Sequence, residues 1–168
     1  PLYSSAASDV YKRQPETQPM SDPSIVSTNH TSFTVSSLTR SIAFFEQVLG
    51  FAATPPSPRS KPVIQSITGV QDADVLIAYL RGPDHSIELI EYVGPSDRSS
   101  VMPRPCDVGF SHIAFDVTGI ESLVESAAAF DVLPIGEITT VDQGPNKGGK
   151  AVNLRDTDGI TVELIQQP

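Results

Sequence analysis

Two histidines and two glutamates lie at matching positions of a pattern that occurs twice in the chain. His30 begins the stretch His-Thr-Ser-Phe-Thr-Val and His112 begins His-Ile-Ala-Phe-Asp-Val, so both read His-x-x-Phe-x-Val. Glu88 follows His30 by 58 residues, and Glu163 follows His112 by 51 residues. Imidazole nitrogens and carboxylate oxygens together bind metals such as Zn, Ni, Co, Mn and Fe. The sequence therefore predicts one divalent metal ion held by His30, Glu88, His112 and Glu163.

The half of the chain that carries His30 and Glu88 is predicted to contain a strand, a helix and three further strands. After the first strand, apolar residues recur at helical spacing from Leu38 to Leu49, and Gly50 supplies a C-terminal stop. Two further strands are predicted at Val63–Thr68 and Asp74–Leu80. The half ends in the strand that carries Glu88, and Pro- and Gly-rich turns separate these elements.

The second half repeats this order. A helical pattern starts near Ile120, where Thr118 and Glu121 match a capping box. Strands are predicted at Ile138–Val141 and Ala151–Arg155, and the final strand carries Glu163 in a sequence nearly identical to that around Glu88. Each half therefore reads βαβββ.

The repeat predicts an α+β fold with two modules, residues 25–94 and 107–168, joined by a polar linker. We expect the modules to form a curved mixed sheet around a metal-containing cavity, with the helices outside. Residues 1–19 have no strand or helix periodicity and are interpreted as a foreign or disordered tail, with Met20 as the natural start.

Strand periodicity separates the two faces of the first strand in each half. In a strand, alternate side chains point to opposite faces. Phe33 and Val35 share an apolar face that should meet the helix, whereas His30, Ser32 and Thr34 share a small, polar face. The second half has the same alternation, so the polar face is expected to form the cavity wall.

Composition excludes several classes of partner. The formal net charge is −9 and the pI is about 4.6, so the chain would repel a phosphate backbone, and nucleic acid is not an expected partner. No apolar run has the ~20 residues needed to span a bilayer, and no secretory signal is seen. The single cysteine, Cys106, fits a reducing compartment, so a cytoplasmic location is predicted.

The chain resembles the vicinal oxygen chelate superfamily, which includes glyoxalase I, methylmalonyl-CoA epimerase, extradiol dioxygenases, fosfomycin-resistance enzymes and bleomycin-binding proteins. The resemblance covers about residues 29–167. It is carried by five motifs: Asn29-His30…Val35, Val48-Leu49-Gly50-Phe51, Ile87-Glu88-Leu89, Ser111-His112-Ile113-Ala114-Phe115 and Asp158-Gly159-Ile160-Thr161-Val162-Glu163-Leu164.

The resemblance implies roles for individual residues. A His, Glu, His, Glu ligand set is most like that of bacterial glyoxalase I, in which Glu163 would be the main base and Glu88 its symmetric partner. The loop that contains Lys147 is similar to the glyoxalase loop that closes over substrate, although it also reads as an ordinary Gly-rich turn. Lys147, Thr34 and Tyr92 are the substrate contacts that the resemblance implies. Thr34 and Tyr92 stand where glyoxalase I has an arginine and an asparagine, so glutathione dependence is not implied.

The implied activity is a metal-dependent isomerase or lyase of the glyoxalase type, which transfers a proton next to a carbonyl through a metal-stabilised enediolate. The alternatives are an epimerase like methylmalonyl-CoA epimerase, an extradiol-type dioxygenase and a small-molecule binding or resistance protein. The expected partner is a small-molecule substrate. A homodimer is also expected. Members of the family build the site either within one chain or across two, and the length of the linker permits either arrangement.

Overall fold

The structure is a computed structural model that describes residues 23–168, so the tail predicted at residues 1–19 lies outside the described residues. No helix in that part of the chain has the length and apolar character needed to cross a membrane. The elements follow the order β1 (Thr31–Val35), α1 (Leu38–Gln47), β2 (Ala52–Ala53), β3 (Ser57–Pro58), α2 (Lys61–Thr68), β4 (Asp74–Gly82), β5 (His85–Gly94), β6 (Ile113–Asp116), α3 (Ile120–Ala128), β7 (Leu133–Pro134), β8 (Thr139–Thr140), β9 (Lys150–Arg155) and β10 (Thr161–Gln166).

The strands form two sheets with the same topology. The first has the order β1-β5-β4-β2, with β3 also on β4, and the second has the order β6-β10-β9-β7, with β8 also on β9. The β1–β5 and β6–β10 pairs are parallel and the other pairs are antiparallel. The α+β fold of two repeated, mixed half-sheets is confirmed. The strands that directly follow His30 and His112, which are β1 and β6, are edge strands of their sheets.

The predicted faces of the first strands are confirmed. Val35 is buried and Phe33 packs against the core, whereas Ser32 and Thr34 are exposed. The strand β6 shows the same alternation. The apolar faces of both sheets share one core, in which the Phe51 ring meets the Phe115 ring at a centroid distance of 5.5 Å. Burying these faces together leaves the opposite, polar face of each sheet free for a site.

The prediction of a strand at Val63–Thr68 is wrong, because this segment lies within helix α2. Its β-branched residues favour a strand. However, Pro62 lies in the first turn, where proline fits a helix, and Gly69 ends the helix in a left-handed conformation with φ of 72°. None of the residues of α2 is buried, so the helix is an addition at the margin of the first sheet.

The capping box predicted for the second helix does not form. Helix α3 begins after Gly119, which makes no side-chain cap, and Thr118 does not bond to the backbone of Glu121. The backbone N–H of Ile120 instead donates to Oε1 of Gln166 at 3.0 Å. The Gln166 side chain from β10 therefore accepts a hydrogen bond from a free N–H group at the start of α3. Local sequence spacing does not reveal this long-range contact. The strand predicted at Ile138–Val141 is reduced to the two residues of β8.

An ion pair joins the two modules. Asp158, in the turn between β9 and β10, accepts hydrogen bonds of 2.8 Å from the backbone N–H of Ser36 and from Nη2 of Arg40. Burial raises the pKa of Asp158, but the hydrogen bonds from Ser36 and the charge and hydrogen bond of Arg40 outweigh it and the pKa is lowered. The carboxylate therefore stabilises the folded chain in its ionised form.

Replacing Asp158 by Ala is expected to lower the free energy of unfolding by about 1–3 kcal/mol at pH 7, because hydrogen bonds to a charged group are lost. Since the folded pKa is lowered, this stabilisation is complete above the unfolded pKa of about 3.9 and is lost as pH falls through the folded pKa. Urea unfolding at several pH values measures the difference. Asp97→Ala, in the exposed linker, is the control, and equal losses for both variants would contradict the prediction.

Candidate metal centre

The first predicted pair lies on the polar face of the first sheet. Parallel pairing of β1 with β5 sets Ser32 beside Glu88, and His30 lies one residue before β1. This places Nε2 of His30 3.3 Å from Oε2 of Glu88. Nδ1 of the same ring is 2.6 Å from Oδ1 of Asn29, which can only accept, so Nδ1 carries the proton.

This arrangement fits half of a metal site. With the proton on Nδ1, the Nε2 atom of a neutral His30 ring would face the Glu88 carboxylate with its lone pair. Two electron-rich atoms at that separation are stabilised by a cation or a proton between them. A histidine whose other ring nitrogen is held by an oxygen is also the usual form of a metal ligand. The pair therefore supplies one nitrogen and one carboxylate donor.

The Glu88 carboxylate is held on several sides. The residue is only 8% exposed, and the Ser32 hydroxyl donates to its Oε2 atom at 3.0 Å. Tyr79 lies directly opposite Glu88 on β4. Hydrogen bonding to Glu88 raises the pKa of Tyr79, and burial and the Glu88 charge add to the rise, while Arg59 partly offsets it. Tyr79 thus stays a neutral hydroxyl facing the carboxylate.

Arg59 brings a positive charge to this side of the site. Its guanidinium carbon lies 5.8 Å from the centre of the Tyr79 ring, and its Nη1 atom donates to Oγ of Ser57 at 2.6 Å. The short strand β3 pairs with β4 and holds this segment along the edge of the sheet. The Pro-rich stretch that contains Arg59 therefore forms a rim beside Glu88.

The second pair occupies the equivalent place on the second sheet. Nε2 of His112 lies 3.0 Å from Oε2 of Glu163. Ala114 stands beside Glu163 on β6, and Asn153 stands opposite it on β9. The Glu163 side chain is 26% exposed, compared with 11% for Glu88. A cavity of about 370 Å³ is lined in part by Glu163 and Asn153.

Phe110 and Arg155 form a wall beside the second pair. The Phe110 ring lies 6.0 Å from the His112 ring between centroids, and the Arg155 guanidinium carbon lies 5.5 Å from the centre of the Phe110 ring. Nη2 of Arg155 and Oδ1 of Asn153 are buried without a hydrogen-bond partner in the described structure. Each His–Glu pair thus has an aromatic ring and an arginine near it.

The structure brings each histidine to its own glutamate but keeps the two pairs apart. Within residues 23–168, no three His, Cys, Asp or Glu side chains lie close enough together to hold a metal ion. The four residues predicted to hold one metal ion therefore form two separate pairs in the described part of the chain. One chain presents two half-sites of mixed nitrogen and oxygen donors.

The three residues predicted to contact substrate lie outside both pairs. Thr34 shares the polar face of β1 with Ser32, and Tyr92 shares a face of β5 with Glu88. Lys147 lies exposed in the turn before β9, where its backbone N–H donates to the carbonyl of Gly144. This turn closes a β8–β9 connection, and no hydrogen bond or ion pair joins the Lys147 side chain to either pair in the part of the chain described.

The strand register adds two residues to the site that no sequence motif marks. Tyr79 and Asn153 are the residues opposite Glu88 and Glu163 across their hairpins, and aligning the repeats would have found them. His85 begins β5, is half-buried and lies 2.9 Å from Oγ1 of Thr31 through its Nε2 atom.

Residues 27–164 match the model of the glyoxalase/bleomycin resistance protein/dioxygenase superfamily. The chain belongs to this superfamily. It is 30% identical over 157 residues to a protein named 2-epi-5-epi-valiolone epimerase from an Actinomyces species, and the match covers 87% of this chain and 82% of that protein.

Solved structures of the superfamily share the fold. A glyoxalase family protein from Bacillus cereus superposes with a TM-score of 0.74 at 23% identity, covering 88% of this chain and 97% of the other. The fosfomycin resistance protein FosX from Listeria monocytogenes, solved with Mn(II) and sulfate, superposes with a TM-score of 0.57 at 16% identity. That match covers 86% of this chain and 95% of FosX.

Proposed function

We propose that the protein is a metal-dependent epimerase or isomerase that moves a proton at a carbon next to a carbonyl group. The observation that carries the proposal is the presence of two His–Glu pairs, each with its imidazole Nε2 against a carboxylate. The relative that is 30% identical is named an epimerase, which supports this class of reaction. The glyoxalase-type isomerase or lyase activity that the sequence predicts would move a proton at the same kind of carbon.

In this proposal His30, Glu88, His112 and Glu163 hold one divalent metal ion. The metal would act as a Lewis acid that stabilises negative charge developing on a substrate oxygen. Two imidazoles and two carboxylates suit Ni, Zn, Co, Mn or Fe. That FosX was solved with Mn(II) supports a metal role for the fold in this superfamily.

We further propose that two copies of the chain complete the site. The strands β1 and β6 are edge strands, and His30 and His112 lie one residue before them. A second copy whose β6 lies beside β1 of the first would bring the two kinds of pair together. Twofold symmetry would then build two identical sites, each with His30 and Glu88 from one copy and His112 and Glu163 from the other.

One of the two carboxylates would move the proton. Glu163 is the more exposed of the two and lies against the cavity, so it is the residue proposed to take the proton from carbon. A carboxylate with a pKa near ~4.3 is a weak base at neutral pH, so the proton must already be acidified by the neighbouring carbonyl. Glu88 lies on the opposite half-site.

The substrate proposed is a small, oxygen-rich ketone. The relative's name refers to 2-epi-5-epi-valiolone, whose ending denotes a ketone, and an epimerase inverts a stereocentre. The groups around the pairs can hydrogen-bond hydroxyl groups: the amide of Asn153, the hydroxyl of Tyr79 and the guanidinium of Arg59. Such polar side chains orient a ligand within a site.

Metal analysis combined with hydrogen exchange tests the proposed function. We expect about one metal ion per chain and, in D₂O, incorporation of deuterium next to the carbonyl of 2-epi-5-epi-valiolone, measured by NMR after reconstitution with Ni, Zn, Co, Mn or Fe(II). Removal of the metal should stop the exchange and its return should restore it. A protein that takes up none of these metals, or one that exchanges equally well without them, would contradict the proposal.

A further inference from the structure

The two half-sites differ at the residue beside each glutamate. The register is the same in both sheets: Ser32 pairs with Glu88 on β1 and β5, and Ala114 pairs with Glu163 on β6 and β10. The Ser32 hydroxyl donates to Oε2 of Glu88 at 3.0 Å. The methyl group of Ala114 offers Glu163 no such bond. The two halves therefore differ by one hydroxyl group, that of Ser32, which contacts the proposed metal ligand Glu88.

The residues opposite the glutamates increase this difference. Tyr79 lies directly opposite Glu88 on β4, and the Glu88 carboxylate raises the pKa of the Tyr79 hydroxyl. Asn153 faces Glu163, but no hydrogen bond between them is present in the described part of the chain, and Oδ1 of Asn153 is unpartnered. Besides its histidine, Glu88 has two hydroxyl neighbours and Glu163 has none.

We infer that Ser32 is a positioning residue that fixes Glu88 as a permanent metal ligand, and that Ala114 leaves Glu163 free to leave the metal and accept a proton. This inference rests on the proposed function and adds a division of labour between the two glutamates. A carboxylate that is buried and held by a charge-assisted hydrogen bond is restrained in one rotamer. A carboxylate with one partner and more exposure can rotate, and proton transfer from carbon requires such movement.

The matched positions allow the hydroxyl to be exchanged between the half-sites. Ser32→Ala removes the bond to Glu88, and Ser32→Thr keeps a hydroxyl there. Ala114→Ser places a hydroxyl beside Glu163 in the register that Ser32 has beside Glu88. Ala128→Ser, on the exposed side of α3, controls for the chemical change alone, and thermal unfolding checks that each variant is folded.

Co²⁺ affinity, measured by titration of the visible absorption of Co²⁺, reports on the fixed ligand without any turnover. We expect Ser32→Ala to raise the Kd for Co²⁺ about tenfold, because a hydrogen bond to a charged group is lost. Ser32→Thr should restore most of the affinity. Ala114→Ser should lower kcat for deuterium exchange about tenfold without weakening Co²⁺ binding, because the new hydroxyl restrains Glu163.

The double variant Ser32→Ala/Ala114→Ser gives the sharpest comparison. In this background, Glu88→Gln should cost more of the exchange rate, and Glu163→Gln less, than in the natural chain. Unchanged Co²⁺ affinity in Ser32→Ala, or unchanged kcat in Ala114→Ser, would overturn the inference while leaving the proposed function intact. A natural chain that binds none of Ni, Zn, Co, Mn and Fe(II) would overturn both.

Discussion

Replacing Glu163 by Gln is expected to lower the rate of proton exchange next to the substrate carbonyl by about 10²–10⁴-fold, the usual contribution of a positioned general base. The amide of Gln keeps the size of the side chain and one oxygen, but it cannot accept a proton from carbon. The pair with His112 lies partly open to solvent, so the substitution leaves no buried charge behind. Stability and most of the metal binding should therefore remain.

The rate is measured as deuterium incorporation by NMR, with metal content determined on the same sample. Glu125→Gln is the matched control, because Glu125 is an exposed residue of α3. Glu88→Gln should act differently. It should weaken metal binding but keep most of the turnover when the metal is saturating. A Glu163→Gln protein that exchanges at the natural rate would exclude Glu163 as the base.

Mixing two inactive variants is expected to restore activity if the site is shared between two copies. A chain with His30→Ala is defective in its first half-site, and a chain with Glu163→Gln is defective in its second. In a mixed dimer, one site receives both defects and the other receives none. Mixed dimers isolated through two different affinity tags should therefore show about half of the natural activity.

A second mixture provides the control. His112→Ala and Glu163→Gln both affect the second half-site, so every site of that mixed dimer contains one inactivating defect, and no recovery is expected. Sites built within single chains would give no recovery in either mixture. Recovery in the first mixture alone is thus the result that only a shared site produces, and its absence in a verified mixed dimer would contradict the shared site.

Much of each half-site could be predicted from the sequence because it depends on local pattern. Alternation along β1 and β6 fixed which face carries the small polar residues, since a one-residue change of register would expose Phe33 and Val35. The same repeat indicated that His30 belongs with Glu88 and His112 with Glu163, and the parallel strand pairs bring these residues together. Local spacing could not reveal α2, because the β-branched residues Val63, Ile64 and Ile67 also occur in strands.

The sequence by itself determined the superfamily, the two modules and the membership of the two His–Glu pairs. Only the tertiary structure decided that the two pairs form no common cluster within the described residues, because the apolar faces of both sheets lie in one core and each sheet keeps its own polar face. It also decided that Glu88 is held by Ser32 and faced by Tyr79, whereas Glu163 is not held in this way. These differences arise from cross-strand register, which joins residues that are distant in the chain, and a repeat alone would predict two equal halves.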